Sequence, residues 1–267
     1  MSALELRARC RDARGVVMLE FVIAFVPVFA LFLGTVQLAL LGAAQLIVQH
    51  AAICGARSAS VVIDDDPRSY AAPRNQLRTA DGQDGPRLAA IRRAVHAPLV
   101  AIAPDAHVVR ALLGARPKRA SVERALGASG TARFDLESAR YLPIAAALVF
   151  PIEPGADEVV RGSFDIEDRV SVRVTYLLPC VVPLVARWAC DALSWNARSQ
   201  RLQASGNASA TLRRALDELA SAPDASRQAT LASAGRPFAV LHAEATLPLQ
   251  RAPYCYASEA ERCGAQP

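Results

Sequence analysis

Gly15 and Glu20 are the first residues whose types and spacing invite chemistry. A carboxylate stands five residues after a glycine, at the head of an apolar run that reaches Val48. Insertion scales put Asp, Lys or Arg at the centre of a spanning helix at roughly 2.5 to 3.5 kcal/mol, so an acid in such a run marks function by default. Glu20 lies at the edge of the run, where the cost is smaller, but it still calls for a partner. Gly15 has no side chain and lets a second backbone approach closely. On a helix Val16 and Glu20 are i and i+4 and share a face. The bland reading is a juxtamembrane acid that snorkels to water.

Little else has catalytic spacing. His50, His96, His107 and His242 are scattered. No H-E-x-x-H, G-x-S-x-G or P-loop pattern occurs. The sequence therefore predicts no catalytic residue, no cofactor and no metal ligand. Asp64, Asp65 and Asp66 lack the D-x-D-x-D-G spacing of a calcium loop and read as a solvated turn before Pro67. The net charge of +5 comes from arginines spread along the chain. No basic stripe interleaves with aromatics, so a nucleic-acid partner is not expected.

The element that must position Glu20 is the apolar run itself. From Phe21 to Val48 there is no Lys, Arg, Asp or Glu, and the clearly polar members are Thr35, Gln37 and Gln45. About 20 apolar residues at 1.5 Å each span a hydrocarbon core. Arg7, Arg9, Arg11 and Arg14 precede the run against Glu5 and Asp12. That bias puts the N-terminus in the cytoplasm and residues beyond about 50 on the far side. A secretory signal peptide is the rival reading. Its apolar region is about 7 to 15 residues long, shorter than this one, although Ala43-Ala44-Gln45 resembles a cleavage site. A single-pass envelope anchor or sensor would also carry such a run, and so would a secreted enzyme with an atypical signal peptide.

The pattern Arg14-Gly15-x4-Glu20-Phe21, with Pro27 inside the apolar segment, resembles the N-terminus of the TadE-like family, minor pseudopilins of Tad (Flp) type IV pilus and secretion systems. The resemblance is tight over residues 14 to 40. It continues more loosely at Arg169 to Leu178, Val181 to Trp188 and Phe238 to Gln250. It implies a prepilin peptidase that cuts between Gly15 and Val16, and an assembly role for Glu20, Phe21 and Pro27. Its implied partners are sibling pilins or pseudopilins, the Tad assembly platform and the bacterial inner membrane. The C-terminal part would be periplasmic, in or at the tip of an extracellular filament after assembly. In pilins a proline at this depth accompanies local helix melting on assembly. A harmless kink is the simpler reading.

Six cysteines are present. Cys10 falls in the leader that cleavage would remove. Pairing is the default in an oxidising compartment, which makes Cys180–Cys190 and Cys255–Cys263 the preferred bridges. Four cysteines nevertheless allow three connectivities. Cys54 is left over as a buried thiol, a third bridge partner or an intersubunit link.

Three segments follow: a cytoplasmic leader over 1–15, a transmembrane and stalk helix over 16–62, and an α+β domain over 63–267. Leu46, Ile53, Ala56 and Ser60 suggest the packed face of the stalk. Residues 68–87 read as a loop, and 114–135 as a basic, Gly-rich mobile stretch. Leu88, Ile91, Val95, Leu99 and Ile102 have helical spacing. Tyr141 to Pro151 reads as a buried strand or short helix. Val170 to Tyr176 alternates like a half-buried strand, with Ser171, Arg173 and Thr175 outward. Ala239 to Leu247 alternates likewise. Arg198 to Ala222 reads as a helix stopped by Pro223. The expected fold is α+β and pilin-like, a long helix packed on a small antiparallel sheet.

Overall fold

The computed structural model describes residues 3–70, 72–78, 84–104, 108–109, 112, 138–160, 163–164, 169–182, 185–186, 190–196, 201–204, 209–220, 231–232 and 236–250. Helix α1 is Ala3–Val62, followed by the single turn α2, Pro67–Tyr70, and by α3, Pro86–Leu99. Then come α4, Ser138–Ala145, and strands β1, Ala146–Val149, β2, Arg169–Pro179, β3, Asp191–Asn196, and β4, Arg201–Ala204. Helix α5, Ala210–Ala220, and strand β5, Pro237–Pro248, complete the order. The strands form one antiparallel sheet, β1-β2-β5-β3-β4. A long apolar helix on a five-stranded antiparallel sheet is the α+β architecture that the sequence predicts.

The described side chains of α1 from Met18 to Phe32 are exposed, and the second half of the helix is docked. The docked face is built from Ala44, Val48, Ala51, Ala52, Ala56, Ala59 and Val62, all buried and recurring at threes and fours. Five of the seven are alanine, so the helix backbone can lie close to the sheet. The approach is tightest at Gly55. A Cβ there would lie 2.6 Å from Val95 Cγ2 of α3 and 3.0 Å from Val172 Cγ1 of β2. Leu46 and Ile53, expected on this face, point outward instead, at 67% and 41% exposure. Large side chains in those places would hold the helix off the sheet. Ala56 and Ser60 are buried as expected.

β2 and β5 pair along their whole length, with Val170 opposite Leu247 and Tyr176 opposite Leu241. Val170, Val172, Val174 and Tyr176 form the apolar side, under α1 and α3. The other side is not solvated, contrary to the alternation rule. Ser171, Arg173 and Thr175 are all buried, because α5 and the segment after β1 cover them. Their polar groups are paired. Ser171 Oγ lies 2.8 Å from Thr246 Oγ1. Arg173 donates to Glu244 and Glu218, each at 2.9 Å, and to the Ala156 carbonyl at 2.7 Å. Thr175 Oγ1 donates to Glu218 Oε2 at 2.5 Å. Burial opposes the charge of Arg173, but the hydrogen bonds and fields of Glu218 and Glu244 outweigh it and hold its pKa above the ordinary value. Removing one member of such a buried set costs about 3 to 5 kcal/mol, because a charge is left unpaired.

Arg87, fully buried at the start of α3, closes the far end of α1. Its guanidinium donates to the carbonyls of Val62, Asp65 (3.0 Å), Ala72 (3.2 Å) and Pro73 (3.2 Å), and lies 4.6 Å from the Tyr70 ring centre. A cation there also suits the negative end of the helix dipole. The Asp64–Asp66 turn is less solvated than the sequence suggests. Asp64 is buried and pairs with Arg74 at 3.6 Å, while Asp66 Oδ1 accepts from the Arg68 amide and opens α2.

The expected helix from Arg198 is in fact a strand and a shorter helix. Leu202 sits on β4, opposite Trp195 of β3, and α5 starts only after Ser209, whose Oγ accepts from the Leu212 amide at 3.2 Å. That is an N-cap, and Gly206-Asn207 before it is a turn signal that the leucine spacing obscured. α3 agrees with its expectation, burying Leu88, Ile91, Val95 and Leu99. The 141–151 run holds both expected forms in succession, α4 and then β1. The 114–135 stretch lies outside the described residues.

This packing leads to two measurable expectations. Gly55→Ala gains up to about 1 kcal/mol of helix propensity but overpacks a contact, which costs about 1 to 3 kcal/mol. A net loss of stability of about 1 kcal/mol is expected in urea titrations of the full chain in detergent, and a gain would refute the tight contact. The second concerns His96 on α3. Burial, with the charge of Arg92, pushes its imidazole from 6.5 down to about 3. The unfolded chain binds this proton below about pH 6.5 and the folded chain does not until about pH 3, so stability is full above 6.5 and falls as the pH drops through that window. Up to about 2 kcal/mol should be lost between pH 7 and pH 5. His96→Gln should flatten that slope, and an identical slope in the variant would show that other groups cause it.

Candidate assembly face on the apolar helix

Every described side chain from Met18 to Phe32 is exposed. Phe21, Phe25 and Phe29 recur at i+4 and stack along one side, with ring centres 5.6 and 5.4 Å apart. α1 is the one helix among the described residues long and apolar enough to cross a membrane. The helix runs unbroken through Gly15 and Val16, whose surroundings lie outside the described set. It also runs unbroken through Pro27, which deprives the Ile23 carbonyl of its intrahelical donor.

The polar side chains of the run have different fates. Thr35 Oγ1 donates to the Phe32 carbonyl at 2.8 Å, a bond inside the helix. Gln37, buried, accepts the Val182 amide at 3.4 Å. Gln45 donates to the His242 carbonyl at 2.8 Å. Of Glu20, Thr35, Gln37 and Gln45, only Glu20 has no partner among the described residues. It is exposed at the head of the apolar segment, next to Phe21.

Residues 15–57 match the family of TadE-like proteins. The matched stretch is the exposed apolar half of α1 plus most of its docked half, and it contains the residues on which the sequence resemblance rests. No curated protein and no solved structure matches the chain. The TadE-like segment supports a Tad pilus-associated protein, and the family is a structural one. Together with the apolar helix it points to a membrane-anchored, single-pass chain. The match does not extend to the looser resemblances at 169–178, 181–188 and 238–250.

Cys180 and Cys190 are joined in a disulfide, Cα to Cα 6.6 Å. Cys255 and Cys263 lie outside the described residues, as does the side chain of Cys10. Cys54 is a free thiol on α1, its sulfur 3.6 Å from His50 Nε2. His242 is exposed on β5. No group of three or more His, Cys, Asp or Glu is placed to hold a metal among the described residues. Sequence reasoning singled out Phe21 but missed Phe25 and Phe29, although the 21/25/29 spacing was there to be read. It also missed the contact between Gln37 and the disulfide loop. Nothing local to residue 37 signals that contact, because its partner lies 145 positions away.

Proposed function

We propose that this protein is a minor pseudopilin that helps assemble or prime a Tad-type pilus or related secretion filament. The observation that carries the reading is Glu20, exposed and without a partner among the described residues, five residues after Gly15 on the apolar helix of the TadE-like segment. A prepilin peptidase removes residues 1–15 and leaves Val16 as the N-terminus. Residues 16–62 then serve as anchor and stalk, and 63–267 as the domain outside the inner membrane, with the N-terminus toward the cytoplasm. Glu20 neutralises the Val16 amine of a sibling pilin or pseudopilin at the assembly platform, and Phe21 and Pro27 shape that contact. A signal peptide cut near Ala44 fits poorly with this fold, since Gln37 and Ala44 are both buried against the domain.

N-terminal sequencing of the mature protein tests the reading. It expects Val16 in cells that carry the peptidase; a Met1 start supports a plain anchor, and a start near residue 45 a secreted protein. Gly15→Ile should leave the full-length band on a gel, and an unchanged shift in that variant would reject the cleavage site.

Glu20→Gln separates insertion from assembly. A neutral amide costs no more to insert than a carboxylate, so membrane fractionation should look like wild type. Recovery of sibling pilins in a pull-down should fall sharply, because a buried amine without its counter-charge costs about 3 to 5 kcal/mol. Normal recovery and intact filaments would leave Glu20 with no assembly role.

A further inference from the structure

We infer that the open edge of β1 is a docking site for an extended, acid-bearing peptide segment of another protein. The peptide adds one more strand to the sheet, between the hairpin that leads into α3 and helix α5. The inference is independent of how the N-terminus is processed and of where α1 sits.

The sheet order leaves β1 at an edge. Its inner side pairs with β2 from Ala146 to Val149. Its outer side is covered only further along. There the Phe150 carbonyl accepts the Val160 amide at 2.7 Å, and the Ile152 amide donates to the Glu158 carbonyl at 3.0 Å. By Ser163 the chain is on another partner, opposite Gln76. Alternate residues of a paired strand turn their backbone groups to the same edge. Leu148 therefore turns its N–H and C=O outward, in line with Phe150 and Ile152. No backbone bond among the described residues takes them. Open edges of this kind are templates for another chain, and proteins commonly guard them with lysine, proline or a bulge. The Ala-Ala-Leu-Val of β1 carries no such guard.

A cleft of about 780 Å³ opens at this edge, within the size range of ligand sites. Leu148 and Phe150 line its floor, Leu77 and Leu88 the wall on the α3 side, and Ala210 and Arg213 the wall on the α5 side. The side chains of an added strand alternate between two faces, so one set meets the leucines and the other meets α5. The charges of the cleft select the peptide. Asp84 is paired with Arg92 at 2.6 Å, Asp157 with Arg214, and Glu218 with Arg173 at 2.9 Å. Asp217 is engaged as well. Arg78 and Arg213 are exposed and have no ion pair among the described residues. They come from opposite walls, so the charge left uncompensated at the cleft is positive on both sides. Main-chain bonds at the edge then supply affinity, and carboxylates on the peptide supply selectivity.

The test uses the full chain in detergent and two fluorescent hexapeptides, in which valine alternates with glutamate or with lysine. At low salt, anisotropy should show saturable binding of the glutamate peptide. The lysine peptide should bind about tenfold more weakly or worse, because like charges then meet. N-methylation of one alternate set of peptide amides should abolish binding, and methylation of the other set should not. Bound peptide should slow hydrogen exchange at the Leu148 amide. Arg213→Glu, and separately Arg78→Glu, should weaken binding several-fold with an unchanged circular dichroism spectrum. Absence of saturable binding, equal binding of the two hexapeptides, or unchanged exchange at Leu148 would overturn the inference. A dimer of the full chain that Arg213→Glu dissolves would put a second copy in the cleft and overturn a foreign peptide as its occupant.

Discussion

The close approach of α1 to the sheet is the constraint on which the rest of the fold depends. It is made possible by what the helix lacks. Ala44, Ala51, Ala52, Gly55, Ala56 and Ala59 put almost no side chain between backbone and sheet. Such a face buries less apolar area per residue than a leucine face, at about 25 cal/mol per Å². It compensates with dense contact to Val95 and Val172, where each added methyl is felt. The small face also permits the reach from Gln45 to the β5 backbone.

With the helix this close, the sheet becomes a middle layer. α1 and α3 cover the apolar side of β2, and α5 covers the other, so no side of that strand is left for water. The buried polar row Ser171–Arg173–Thr175 follows from this. Its groups have lost their solvent, and Thr246, Glu244 and Glu218 replace it. Arg87 plays the matching part at the end of α1, satisfying the Val62 carbonyl that the helix terminus leaves open and three loop carbonyls beyond it.

Much of this was legible in the sequence. The long apolar helix and the α+β class follow from hydropathy and from the alternation in β2 and β5. The Gly15–Glu20 spacing is local and needs no fold to be seen. What escaped was whatever depends on a distant partner. Arg173 alternates like a surface residue, and only Glu218 on α5 and Glu244 on β5 reveal that it is buried. Leu46 and Ile53 are large apolar residues and so attract a core assignment. The criterion that selected the docked face was smallness, which hydrophobic periodicity does not weigh. Leu202 kept helical register with Leu212 by coincidence of spacing, and the Gly206-Asn207 signal between them was the better guide.

The parallel run of β5 and α1 has a mechanical consequence. A pull along the helix axis loads its contacts with the sheet in shear, all together, and does not peel them apart one after another. The ties at Gln37, Gln45 and Ser60 are spread along that line, and Arg87 grips the last turn. Tension applied to the bare half of the helix would therefore be shared along the docked half. For any chain pulled by that helix, the geometry keeps the folded domain attached to the part being pulled.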